Sequence, residues 1–98
     1  MKLNISAQKF DADQKLLAFV QKKADKLDQF FDKIIDGEAH LKVEKDDSKE
    51  NKTFEMKINL PGTSLFVKEK ASSFEAAADG AVEALRRQLK KHKGKITA

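Results

Sequence analysis

The sequence predicts an α+β fold in two layers, ordered strand, helix, three strands, helix, with a four-stranded sheet and both helices packed on one of its faces. Three observations predict it. Three short segments alternate apolar and polar residues, the period of a half-buried strand, and a fourth does so less cleanly because Leu65, Phe66 and Val67 are consecutive. Two longer segments repeat apolar residues every three or four positions, the period of a helix that faces a core. One face of every predicted strand is polar, so the two helices must share the other. The first two strands are joined through a helix and are expected to pair in parallel with a right-handed crossover. Strands two to four follow one another through short loops and are expected to pair antiparallel.

Each element has its own signal. Leu3, Ile5 and Ala7 alternate with Lys2, Asn4 and Ser6 to give the first strand. A turn around "KFDAD" follows, with Asp13 placed to cap a helix. From about Gln14 to Ile34 the apolar residues Leu16, Val20, Ala24, Leu27, Phe31 and Ile34 fall on one helical face, and Gly37 is the expected stop. Lys15, Lys22, Lys26 and Lys33 fall on a second stripe of that helix, and Asp25, Asp28 and Asp32 on another flank. Ala39, Leu41 and Val43 give the second strand, "DDSKEN" a polar loop, and Phe54, Met56, Ile58 and Leu60 the third strand. "PGT" is a turn and "SLFVKEKA" the fourth strand. Ser72 or Ser73 caps the last helix, and Ser72 with Glu75 has capping-box spacing. Phe74, Ala78, Ala81, Leu85 and Leu89, widened by Ala77 and Val82, form its buried stripe, and Gly94 marks its expected end.

A length of 98 residues predicts one domain spanning residues 1–98, with a single core. Hydrophobic residues make up 40% and charged residues 37%, an apolar content too high for a disordered chain. No apolar run reaches the roughly 20 residues that span a bilayer, and the start does not read as a signal peptide. With no cysteine, disulfides and thiolate metal sites are excluded, and a reducing cytoplasm is allowed.

Catalysis has little to stand on. His40 and His92 lie in different elements, the first on a polar strand face and the second at the edge of the last helix's apolar stripe. Neither joins a nucleophile and an orienting group. The four glycines are single and far apart, so there is no phosphate-cradling loop, and no metal-ligand spacing occurs. The sequence therefore reads as a non-enzyme with no cofactor, no metal and no small-molecule substrate.

The informative feature is "LRRQLKKHKGK" at residues 85–95, with six basic residues and no acidic one. The net charge of +4 comes from 20 basic and 16 acidic residues, so without these six the rest of the chain is slightly acidic. Cations at a helix C-terminus complement its dipole, but that effect fades within the last turn and accounts for one or two of them. A set of six points to a polyanion. Arg86, Arg87, Lys90, Lys91, Lys93 and Lys95 are the candidate contacts, joined by Lys22 and Lys26 of the first helix, whose basic stripe can merge with them in one layer. The chain has no Tyr or Trp, and Phe66 is the one aromatic placed near the exposed sheet face, so base stacking on the sheet is not expected. Contacts to RNA phosphates and shape are.

The segments "LNIS", "FVQKKADKLDQFFDKI", "LKVEK" and "AAADGAVEALRRQLKKHKGK", in this order, give the chain a resemblance to the short ribosome hibernation-promoting factors, the family of ribosome-associated inhibitor A and the sigma-54 modulation proteins. The resemblance covers nearly the whole chain. It implies a β-α-β-β-β-α fold related to double-stranded-RNA-binding domains. It also implies binding to the small ribosomal subunit and its 16S rRNA, between head and body, which blocks the messenger and transfer RNA channel and silences translation in stationary phase or stress. Lys23, Lys26, Arg87, Lys91, Lys93 and Lys95 match positions that are typically basic in that family, whereas Arg86 and Lys90 come from charge alone. Two departures are Ser73, Phe74 and Glu75, where the family often has an acidic, a hydrophobic and a tyrosine residue, and Ala84, at a position commonly basic. The resemblance further implies a cytoplasmic protein with no membrane partner. The protein is expected to be of the short type, without the acidic tail or the dimerisation domain of other family types, and a monomer off the ribosome. Two other readings fit the residues: a general duplex-RNA binder, and a protein-interaction modulator of transcription of the sigma-54 type.

Overall fold

The chain folds as β1 (Leu3–Gln8), α1 (Gln14–Phe30), β2 (Asp36–Val43), β3 (Lys52–Leu60), β4 (Thr63–Ala71) and α2 (Phe74–Thr97). The structure, a computed structural model, describes residues 1–8, 10–44 and 50–97, the side chains of 94–97 excepted. Most of the polar loop expected at residues 46–51 lies outside them. The strands form one sheet in the order β1-β2-β3-β4. As the connections require, β1 and β2 are parallel, and β2, β3 and β4 are antiparallel. Both helices cover one face: α2 lies on β3 and β4, and α1 packs beside it and reaches β1.

Register explains how alternation becomes a core. Ile5, Ala39, Met56 and Val67 stand in one row across the four strands, as do Ala7, Leu41, Phe54 and Glu69. Ala39, Leu41, Phe54 and Met56 are wholly buried beneath the helices. The helices contribute Val20, Ala24 and Leu27 from α1 and Phe74, Ala77, Ala78, Ala81, Leu85 and Leu89 from α2. Small residues at Ala77, Ala78 and Ala81 let α2 approach closely, and there Gly80 faces the Glu69 side chain of β4. Burying a leucine-sized side chain contributes about 1.5–3 kcal/mol, so this shared layer dominates the fold's stability.

Caps follow the sequence at both helix starts. Asp13 accepts a hydrogen bond from the Leu16 amide at 2.8 Å, and Ser73 accepts one from the Ala76 amide at 3.1 Å. Ser73 is thus the cap of α2, not Ser72. The helix ends differ from expectation. Helix α1 stops at Phe30, because Phe31 turns to an extended backbone (φ −145°, ψ 111°) while its amide still donates to the Leu27 carbonyl. Phe31 stays buried, so the chain leaves the helix without leaving the core. Lys33 therefore lies in a turn beyond α1 and not on its basic stripe. Gly37 stops nothing. It is a β2 residue, where an added Cβ would lie 3.1 Å from Leu3 Cδ1, 3.2 Å from Met1 Sδ and 3.3 Å from the Lys57 carbonyl oxygen. Helix α2 continues through Gly94 to Thr97, since one interior glycine costs only about 0.5–1 kcal/mol. At the β3–β4 turn Gly62 has φ +81°, a conformation that requires glycine.

Candidate nucleic-acid interface

The cations of α2 are spread around its C-terminal half by helical geometry. At 3.6 residues per turn, Arg86, Lys90 and Lys93 fall on one flank and Arg87 and Lys91 on another. Contacts identify the two sides. The first flank faces α1: Arg86 and Lys93 both approach the ring of Phe30, and Lys93 Nζ donates to the Phe30 carbonyl at 3.3 Å. The opposite side faces the sheet edge, where Gln88 Nε2 lies 3.5 Å from the Phe66 carbonyl of β4. Arg86, Arg87, Lys90, Lys91 and Lys93 are all exposed. Lys95 lies on the helix, but its side chain is outside the described set.

Helix α1 brings its own cations to the shared side. Lys23, Lys26, Gln29 and Phe30 line one wall of a groove whose other wall is Asp79, Val82, Glu83 and Arg86 of α2. Lys23 Nζ donates to Asp79 Oδ1 at 2.7 Å and sits 5.5 Å from the centre of the Phe19 ring. This hydrogen bond and the lysine charge hold the Asp79 carboxyl below its usual range. Glu83 lies 3.8 Å from Arg86 one turn on. The groove thus carries both signs. Lys22 is exposed and does not line it, and Lys15 borders a separate pocket with Phe10, Phe19 and Phe74. Lys15, Lys22 and Lys26 keep the one stripe expected on α1, though they border different features of the surface, and Lys33 alone leaves it. The acidic flank turns the other way: Asp25 and Asp28 accept from the Met1 ammonium, which lowers the Asp25 carboxyl and raises the amine.

The structure thus brings Lys23, Lys26 and Arg86 into one groove, with Lys93 joined through Phe30. Arg87 and Lys91 continue the positive charge around the far flank of α2. The arrangement is a band around the end of a helix, suited to phosphates arriving from more than one side. Sequence reasoning missed the roles of Phe30, Asp79 and Glu83. The signal was present: Phe19, Lys23, Lys26 and Phe30 are spaced 4, 3 and 4, one face of a helix.

The rest of the surface offers less. On the open face of the sheet, Ser6, His40, Glu55 and Lys68 form one cross-strand row. Ser6 Oγ lies 2.6 Å from His40 Nδ1, but Glu38 stands 3.8 Å from Nε2, beyond hydrogen-bonding distance, and both side chains are about half exposed. This is a solvated surface pair. Phe66 stands on the same face, 54% exposed. His92 packs edge-on against Phe31, with ring centres 5.8 Å apart. Among the described residues no cluster of three or more His, Cys, Asp or Glu could hold a metal ion. Among the described residues no helix is long and apolar enough to cross a membrane.

Comparisons with known proteins bear on what such a band meets. Residues 3–97 match the profile of a family described as "Sigma 54 modulation protein / S30EA ribosomal protein". The chain is 34% identical over 96 residues to the ribosome hibernation promoting factor of Escherichia coli K12, covering 98% of this chain and 97% of that one. It is 35% identical over 95 residues to the protein of the same name from Pseudomonas putida, covering 97% and 89%. Its fold superposes on the N-terminal domain of Thermus thermophilus Protein Y with a TM-score of 0.83, at 25% identity and 94% and 99% coverage. It also superposes on a ribosomal subunit interface protein from Coxiella burnetii with a TM-score of 0.84, at 20% identity and 96% and 99% coverage, a likeness of fold.

Proposed function

The chain belongs to the sigma 54 modulation protein / S30EA ribosomal protein family, and from that membership we propose that it is a ribosome hibernation factor. In this reading residues 1–98 act as one unit that binds the small ribosomal subunit in the cytoplasm, with its helices against 16S rRNA. There it occupies the channel of messenger and transfer RNA and halts translation under stress or in stationary phase. It does so by occupancy, as a stoichiometric partner and not as an enzyme.

The observation that carries the reading is the cation band on α2 and the neighbouring wall of α1. Arg87, Lys90 and Lys91 are exposed and reach phosphates directly. Arg86 and Lys93 act from the groove side beside Lys26, while Lys22 extends the band at its margin. Lys23 has a different part: it must exchange Asp79 for a phosphate or remain as the groove's internal tie. The mixed sign of the groove supports a shaped RNA site over indiscriminate attraction, because Asp79 and Glu83 repel phosphates that arrive out of register. Competition tests this. Labelled protein bound to purified small subunits should resist displacement by simple duplex RNA at equal phosphate concentration. Equal competition would make it a general duplex-RNA binder, and retention on a protein partner after nuclease treatment would favour the protein-interaction reading.

A further inference from the structure

Phe30 is the last residue of α1, and the next residue, Phe31, is buried and packed against His92 of α2. Phe31 anchors this corner, so the half-buried ring of Phe30 is held on its outer side. Two cations of α2 converge on that ring: Lys93 Nζ lies 5.0 Å from its centre and the Arg86 guanidinium carbon 5.9 Å. Arg86 and Lys93 are seven residues apart, two helical turns on one flank. Lys93 also donates to the Phe30 carbonyl.

We propose that Phe30 is a positioning residue that holds Arg86 and Lys93 as a preset pair of cations at the rim of the α1–α2 groove, ready for RNA phosphates. The proposal rests on the ribosome-binding reading and deepens it. A ring attracts a cation through its π face, and a guanidinium resting on a ring keeps its in-plane N–H donors for phosphate oxygens. Long basic side chains otherwise lose rotamer freedom when they bind, which weakens association. Ordering them beforehand on an aromatic surface removes part of that loss. The ring does not touch the RNA in this scheme; it acts through Arg86 and Lys93.

The test compares Phe30→Leu and Phe30→Tyr in the full chain. In the free protein, NMR signals of the Arg86 δ and Lys93 ε methylenes should be displaced by the ring current, lose that displacement with leucine and keep it with tyrosine. Affinity for purified small subunits should fall roughly threefold to tenfold with leucine and return with tyrosine. Arg86→Ala should then weaken binding less in the leucine background than in the native one. A folded leucine variant that binds like the native protein overturns the proposal, as does full additivity with Arg86→Ala. If leucine prevents folding, Phe30→Met takes its place under the same criteria. If the native protein fails to bind small subunits, the functional reading falls, and the positioning claim is decided by NMR alone: unchanged signals in the leucine variant sink it.

Discussion

Lys23 of α1 and Asp79 of α2, 56 residues apart in sequence, close the groove between the two helices with a 2.7 Å ion pair. Asp79 is largely exposed and Lys23 is 24% exposed, so water screens the pair and its net contribution is small. Its position matters more than its strength, because it places a carboxylate inside a field of cations.

A pH dependence follows with a definite sign. The folded-state pKa of Asp79 is depressed below its ordinary 3.8 by the Lys23 hydrogen bond first and by the lysine charge second. Its stabilising contribution is therefore present above the unfolded value and lost as pH falls through the folded one. The native protein should melt slightly above Asp79→Asn at neutral pH, and the two should converge below the ordinary aspartate range. A gap that persists in acid would mean that Asp79 acts through something other than its charge.

Binding and folding should separate by position on α2. Arg87→Glu with Lys91→Glu alters two exposed side chains, and the thermal midpoint should reflect no more than about 0.5 kcal/mol per site. The same double change should abolish small-subunit binding. Leu85 is fully buried, and Leu85→Ala should destabilise by roughly 2–5 kcal/mol. Chemical denaturation of the three proteins reads both effects. Unfolding of the double charge reversal would make Arg87 and Lys91 structural residues.

Gly37 gives a prediction on the sheet side. A side chain there meets two mobile tips, Leu3 and Met1, but also the backbone carbonyl of Lys57 at 3.3 Å, which cannot swing away. Gly37→Val should destabilise by about 1–3 kcal/mol through overpacking, despite valine's preference for strands. Equal or greater stability in denaturant would show that the corner between β1, β2 and β3 has room.

The salt response counts phosphates. If the band neutralises about six of them, the logarithm of the binding constant should fall against that of salt with a slope of roughly −4 to −5. The Arg87→Ala variant should flatten the slope by about one unit. A flat response in the native protein would remove phosphate contact from the account.

Much of the fold was legible because one physical rule governed long stretches. Alternation set the first three strands from Leu3 to Leu60, the PGT turn helped to place the less regular fourth, and the α2 stripe from Phe74 to Leu89 is buried as its period required. The failures came where two rules agreed with the same letters. Phe31 and Ile34 continue a helical period, yet Phe31 stays in the core from an extended backbone. Gly37 looks like a helix stop, while its small size serves a close approach to Leu3, Met1 and Lys57. The cations of the candidate site were readable as charge, but their neighbours were not. That Asp79 faces Lys23 and that Phe30 lies beneath Arg86 and Lys93 depends on how α1 and α2 are paired, which no local pattern states.

Order of addition in a cell-free translation system tests the central claim most directly. A domain that fills the small-subunit channel must exclude messenger and transfer RNA, so inhibition should be complete near one protein per ribosome when the protein is added first. It should weaken when initiation complexes form beforehand, reverse on dilution or high salt, and disappear with the folded Arg87→Glu, Lys91→Glu protein. Inhibition of many ribosomes by one protein, or tight binding with no effect on translation in either order, would contradict it.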